Sequence, residues 1–138
     1  MAATESALIE VDSLKKHYPV TKGAITKTLV GTVKAIDGVS FTIGKGETFS
    51  LVGESGCGKT TTTKMILMSE PPTEGVIKYE GSDMSQFSTP ARKEFKSSVQ
   101  AVFQDPWSSL NPKMRVRDII AEPIVTHEKV TNNEITDR

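Results

Sequence analysis

The sequence predicts an α/β fold, and three observations carry that expectation. Short apolar runs with strand character recur at residues 8–11, 39–43, 48–52, 76–79 and 99–103. Between the last two lies a helix-start signal, Ser88-Thr89-Pro90, with proline at or near the first helical position. The third observation is the run G-E-S-G-C-G-K-T at 53–60, placed directly after Thr48-Phe49-Ser50-Leu51-Val52. It fits the phosphate-loop pattern G-x-x-x-x-G-K-[ST] at every fixed position, in the strand-to-helix context that pattern requires.

In chain order, Leu8-Ile9-Glu10-Val11 reads as a first strand that exits over residues 13–16, and His17-Tyr18-Pro19 starts an irregular stretch. Residues 21–31 are rich in Thr, Lys and Gly without a sustained period, which suits an exposed loop or loose hairpin. Residues 33–36 form a candidate strand, Asp37-Gly38 a turn, and Val39, Phe41 and Ile43 the buried side of a half-buried strand. Gly44-Lys45-Gly46 is a tight turn into the phosphate-loop strand at 48–52. From Lys59 to about Met68 the chain reads as a helix burying Met65, Ile66 and Met68. Its four threonines, Thr60 to Thr63, are weak helix formers, so the first turn depends on tertiary and ligand contacts. Pro71-Pro72-Thr73-Glu74-Gly75 stops it, and a strand at 76–79 ends at Gly81. A helix over 91–96 leads to a buried strand at 99–103 that delivers Gln104. A polar loop over 105–113 precedes a helix from about Val116, which Pro123 limits or kinks. The tail from Thr131 is polar, and no internal repeat or low-complexity segment is present.

With 138 residues the chain suffices for one domain with a modest core. Seventeen basic and seventeen acidic residues cancel, so no global field draws it to nucleic acid or anionic lipid. The first seven residues lack the basic start and apolar centre of a secretory signal, and no apolar run approaches the roughly eighteen residues of a membrane span. Membrane association would therefore come through a partner. A single cysteine excludes an intramolecular disulfide and fits a reducing cytosol.

The chemistry of the loop follows from its residue types. Gly53, Gly56 and Gly58 let the backbone curl so that successive N–H groups face an anion, and Glu54, Ser55 and Cys57 fill the positions between them. The helix that opens near Lys59 adds its free N-terminal N–H groups, Thr61 included. Lys59 offers a mobile positive charge for the outer phosphates, and the Thr60 hydroxyl is a natural ligand for Mg²⁺. Cys57 lies beside a helix N-terminus and a lysine, which favours a reactive thiol protected by bound nucleotide; an inert small residue is the alternative. His17 and His127 lack metal-ligand spacing, and nothing in the spacing of Glu10, Asp12 and Glu54 supports a general base. Lys113, Arg115 and Arg117 read as a solvated face, and Trp107 as either a partner anchor or an intradomain packing residue.

Four segments narrow the class: L-K-K-H-Y-P-V at 14–20, V-K-A-I-D-G-V-S-F-T-I-G-K-G-E at 33–47, the phosphate loop, and V-F-Q-D-P-W-S-S-L-N-P-K-M at 102–114. Together they resemble the ATP-binding subunit of an ABC transporter, in particular the oligopeptide/dipeptide importer group, over about residues 8–125. The resemblance implies a P-loop NTPase of ABC type: a flexible N-terminus at 1–7, the N-terminal part of the sheet core at 8–104, and the start of a helical subdomain at 105–138. It implies that Tyr18 stacks on adenine, and that Gln104 is the Q-loop glutamine, which ligates Mg²⁺ and orients water. ATP and Mg²⁺ are the implied cofactors. The implied partners are a second ATPase subunit, integral membrane permease subunits and, indirectly, a periplasmic or extracellular substrate-binding protein. The implied location is peripheral, at the cytoplasmic face of the cell membrane. N-K-x-D base-recognition residues are absent, which argues against a GTPase.

The sequence departs from the family in two places. The L-S-G-G-Q-like signature, the apolar strand ending in Asp and a catalytic Glu, and the switch histidine are not found in these 138 residues, so the sequence predicts a truncated or partial product with negligible ATPase activity of its own. Ser69 and Glu70 stand where relatives usually carry apolar residues, which bears on the length and packing of the helix there.

Overall fold

The structure, a computed structural model, describes residues 7–23, 28–128, 130, 134 and 135. Residues 1–6, 24–27 and most of the polar tail lie outside the described residues. The chain is α/β and divides into two compact units, Met1–Phe87 and Ser88–Arg138.

The first unit is built on a four-stranded sheet of order β2-β1-β3-β4, with β1 (Ala7–Lys22), β2 (Thr28–Gly44), β3 (Glu74–Tyr79) and β4 (Ser82–Asp83), every ladder antiparallel. Of the two expectations for 21–31, an exposed loop or a loose hairpin, the described residues follow the second, with Thr21 paired to Leu29 and Lys22 to Thr28, and Glu80-Gly81, both at positive φ, form the two-residue turn from β3 to β4. Two expectations are corrected. Where the sequence predicts an irregular stretch, His17, Tyr18 and Pro19 pair in register with Lys34, Val33 and Thr32. β3 leaves β1 after Lys15, so Pro19 has a strand on one side only and costs no second ladder bond. Residues 33–43 form one strand, not two: Gly38, at φ +89, is an extra residue between the pairs Leu14–Val39 and Lys15–Asp37. Asp37-Gly38 is thus a bulge within β2.

A second bulge sets the phase of the central strand. Between Val11 and Leu14, β1 advances three residues while β2 advances two, and Ser13 takes φ 49. The Ser13 N–H leaves the ladder and donates to Ser40 Oγ at 2.7 Å. Because one residue is skipped, Val11 and Leu14 both face the core, at 3% and 0% exposure, with Ile36, Ile77, Met65 and Met84 completing it. Gly75, at φ +86, lies against this bulge: a Cβ there would stand 2.5 Å from the Ser13 carbonyl oxygen and 2.7 Å from that of Asp12.

Helix α1 (Lys59–Ile66) is shorter than the sequence suggests. Met68 at φ 54 ends it, with Met68 N–H donating to Met65 O at 3.0 Å and Ser69 N–H to Lys64 O at 2.9 Å. This left-handed cap stops the helix before the prolines are reached. Met65 is buried as expected, but Thr62 joins it, while Ile66 and Met68 are half-buried. Thr62 buries its hydroxyl without cost by donating to the Gly58 carbonyl at 3.1 Å.

The runs 48–52 and 99–103, expected as buried strands, pair with no strand among the described residues, and Val52 and Val102 are 92% and 95% exposed. Their composition suits a buried strand, yet a strand forms only against a neighbour, and none is described beside either run. In the second unit, α2 (Thr89–Ser98) begins as expected, with Ser88 Oγ accepting from Ala91 N–H at 3.4 Å and proline in the first turn, and Phe95 buried. Trp107 lies exposed in a short 3₁₀ turn (Trp107–Ser109), against the packing reading. Helix α3 (Val116–His127) continues past Pro123 instead of stopping there.

Gly75→Ala combines a left-handed backbone with contact against two carbonyls, and its expected cost is about 2–4 kcal/mol in urea unfolding. Gly31, with nothing within 4 Å of its Cβ position, is the control, and Gly31→Ala should stay within about 1 kcal/mol of the parent. Equal midpoints for the two variants would contradict this account of the bulge.

Acid should destabilise the first unit. Lys34 beside Asp37, Tyr18 and Lys16 beside Glu70, Lys15 on Glu74, and the Ser85 hydrogen bonds to Asp83 each hold a carboxyl below its ordinary range. A depressed folded-state pKa means that the unfolded chain binds more protons. The stabilisation is therefore present above the ordinary carboxylate values of about 4 and is lost as the pH falls through the lower folded ones. Circular dichroism should show the urea midpoint falling between pH 6 and 3, and an unchanged midpoint would contradict it.

Candidate nucleotide-phosphate site

The loop is delivered by a segment that stacks on the sheet instead of pairing with it. Gly44-Lys45-Gly46 makes the expected turn, closed by Glu47 N–H to Gly44 O at 3.4 Å and by Gly44 N–H to Glu47 Oε2 at 2.6 Å. Phe49 then stacks on Phe41 of β2, ring centroids 4.8 Å apart and planes 13° from parallel. That contact anchors the run 48–52 four residues before Gly53.

Residues 53–58 curl into α1. Gly58 is the N-cap at φ +98, with no side-chain cap and no acidic residue in the first turn. The first helical bond is Thr62 N–H to the Gly58 carbonyl at 2.8 Å, so the N–H groups of Lys59, Thr60 and Thr61 have no helical acceptor. Helices usually place Ser, Thr, Asp or Asn at this position to take one of those donors. Here all three remain for an external anion, with the positive end of the helix dipole behind them.

Lys59 crosses the loop mouth, its ammonium donating to the Gly53 and Glu54 carbonyls at 2.7 Å each, with Cys57 Sγ at 3.6 Å. No carboxylate neutralises it among the described residues. The threonines divide by role. Thr62 and Thr63 turn their hydroxyls back on the Gly58 and Lys59 carbonyls at 3.1 Å. The Thr60 hydroxyl, exposed on the first turn, has no hydrogen bond among the described residues. A free hydroxyl beside an unneutralised ammonium and three open N–H groups fits a metal-bound polyphosphate.

Tyr18 stands on β1, 36% exposed. The Glu70 carboxylate near its hydroxyl holds the phenol above its ordinary pKa. Lys16 Nζ lies 5.2 Å from the ring centroid, 3.1 Å from Glu70 Oε1 and 2.7 Å from the Pro71 carbonyl. The first unit thus brings together Tyr18, the loop from Gly53 to Gly58, and Lys59, Thr60 and Thr61. Gln104 belongs to the second unit, directly after the unpaired run 99–103. Sequence reasoning missed Glu70 as part of this neighbourhood. Its departure from the family's apolar pattern was the available signal.

The sequence profile of the ABC transporter family matches residues 36–137, about three quarters of the chain. The chain belongs to the ABC transporter family. It is 45% identical to the oligopeptide transport ATP-binding protein AppF of Bacillus subtilis over 96% of its own length. It is 40% identical to the dipeptide transport ATP-binding protein DppF of Escherichia coli over the same share. It spans 40% and 39% of those two relatives' lengths. Among solved structures, the dimeric bacterial ABC transporter cassette MJ0796 shares the fold with a TM-score of 0.74 at 19% identity, over 94% of this chain and 53% of that one. The post-hydrolysis state of the same cassette, bound to ADP and Pi, gives 0.72 at 20% identity with the same coverage.

Proposed function

We propose that this chain forms the ATP-holding part of a subunit that powers ABC-type import of peptides across the cytoplasmic membrane. The observation that carries the reading is the uncapped start of α1 behind the glycine loop, with Lys59 across its mouth. In this reading the N–H groups of Lys59, Thr60 and Thr61 bind the phosphates with the loop from Gly53 to Gly58, and Lys59 turns from the loop carbonyls to the outer phosphates. The Thr60 hydroxyl and Gln104 would hold Mg²⁺, which when bound neutralises phosphate charge. Tyr18 offers adenine its ring, and Gln104 orients the attacking water. Residues 8–104 belong to the sheet core and 105–138 to the Q-loop and the start of the helical subdomain. The exposed runs 48–52 and 99–103 are read as core strands.

The working unit is a pair of ATPase subunits at the cytoplasmic face, docked on membrane permease subunits that a substrate-binding protein supplies from outside. The oligopeptide and dipeptide transport relatives favour peptides as cargo, and their identities of 45% and 40% support a shared role. No described helix is long and apolar enough to cross a membrane, consistent with attachment through those permeases.

Mg-ATP titration of the chain tests the binding half of this reading. Lys59→Ala should weaken ATP binding at least tenfold or so, as expected when a charge-assisted phosphate contact is lost. Saturating Mg-ATP should slow alkylation of Cys57, which lies exposed within the loop. Equal alkylation rates with and without nucleotide, together with an unchanged affinity in Lys59→Ala, would remove the phosphate site.

Turnover is a separate matter. These 138 residues hold neither the Asp-Glu strand nor the signature segment, so they supply the cradle without a group to polarise water. Purified chain should release no phosphate above background over many equivalents of ATP. Multiple turnovers that Lys59→Ala abolishes would overturn that.

A further inference from the structure

We infer that Lys16 is a positioning residue for the polyphosphate site: by holding the far end of α1 to β1, it sets where the open N–H groups at the start of that helix stand. Its role rests on the reading of those N–H groups as phosphate donors, and it lies outside both the glycine loop and the helix.

Both ends of α1 are referred to one rung of the β1–β2 ladder, the pair Lys16–Ile36. At the start of the helix, a Cβ on Gly58 would stand 3.0 Å from Ile36 Cγ1 and 2.7 Å from the neighbouring Ala35 carbonyl. Past its end, the Ser69 and Glu70 N–H groups donate to the Lys64 carbonyl at 2.9 and 3.3 Å, so Glu70 moves with the last turn. The Lys16 ammonium lies 3.1 Å from Glu70 Oε1 and donates to the Pro71 carbonyl at 2.7 Å. Two more bonds sew the same segment to the same strand: Thr73 N–H to the Lys15 carbonyl at 2.8 Å, and His17 N–H to Thr73 Oγ1 at 3.0 Å. The contacts therefore close a circuit from Gly58 through Ile36, Lys16 and Glu70 back to α1.

Within that circuit Lys16 is the side chain that ties strand to helix end. It is 12% exposed and Glu70 23%, the most buried ion pair among the described residues and the least screened by solvent. An eight-residue helix, about 12 Å long, does not hold itself in place. With its far end released, α1 is free to pivot on the contact at Gly58. The N–H groups of Lys59, Thr60 and Thr61 share one rigid turn, so they would leave their alignment together, and hydrogen bonds weaken steeply with misalignment. Loss of Lys16 also removes a positive charge, but Lys15 is one residue away on the same strand and separates the two effects.

The test is titration of the parent chain and its variants with Mg-tripolyphosphate and Mg-ATP, each variant first shown to be folded by circular dichroism. Lys16→Met should weaken both ligands about fivefold, the worth of roughly one hydrogen-bond donor. The ratio to the parent should persist in about 0.5 M KCl, where long-range charge effects are screened. Lys15→Met removes the same charge and breaks the more exposed pair with Glu74, and should change neither affinity by more than about twofold. Lys16→Arg, whose fork can reach carboxylate and carbonyl together, should recover most of the loss. If Lys16→Met fails to fold, Glu70→Gln keeps the shape of the side chain without its charge, and should weaken both ligands about threefold. A lower urea midpoint with both affinities unchanged would make the pair a staple alone and overturn the inference. A loss confined to Mg-ATP, one that Lys15→Met reproduces, or one that salt erases would overturn it as well. Each of those outcomes leaves the phosphate site standing as long as Lys59→Ala weakens binding. A parent chain that does not bind tripolyphosphate would overturn the site and the role of Lys16 together.

Discussion

The carbonyl of Ala35 and the Cγ1 of Ile36 approach Gly58 so closely that a Cβ there would stand 2.7 Å and 3.0 Å from them. At φ +98 the residue is also in backbone space that other residues avoid. Both conditions follow from one requirement: α1 must start hard against β2 while its first N–H groups stay open. A Ser or Asp cap would satisfy the helix and occupy those donors. Glycine leaves the helix start uncapped and lets it pack closer than any side chain would allow. The anchoring of the loop, the burial of Thr62 and Met65 and the opening toward an anion all depend on that close approach.

The bulge at Ser13 acts at a distance on the same site. Side chains alternate along a strand, so one skipped residue changes which face every later residue occupies. Leu14, Lys16 and Tyr18 consequently share the phase of Val11, and Lys15 and His17 take the other face, where they pair with Glu74 and Asp37. Without the bulge Tyr18 would point away from Thr61 and Glu70. Its cost is contained by the Ser40 hydroxyl, which takes the Ser13 N–H, and by Gly75, which makes room for the displaced carbonyls.

Features coded by single residues were legible in the sequence. The phosphate loop, the Gly44-Lys45-Gly46 turn and the Ser88 cap with its following proline each depend on backbone properties of the residues named, and each stands where the pattern puts it. Features that depend on a neighbour were not. The runs 48–52 and 99–103 have the composition of strands, but a ladder is a property of two segments, and composition speaks for one. Asp37-Gly38 carries a turn signal that serves equally for a bulge, and only the partner strand decides between them. Of the site, the loop and the open start of α1 could be read directly. The partner of Glu70 could not, because it is Lys16, far away in sequence.

Helix α1 depends on both long strands for its place. At eight residues with four threonines it is shorter than the roughly 12–15 residues an isolated helix needs to persist in water. It must be held by tertiary contacts, and those contacts sit at its two ends and its buried stripe. Gly58 fixes the start against β2, Thr62 and Met65 fix the middle, and Glu70 with Lys16 fixes the segment beyond the last turn to β1. A shift of α1 along its axis would move the open N–H groups and pull apart the Lys16–Glu70 pair in the same motion, so the helix start is held from β1 and β2 together.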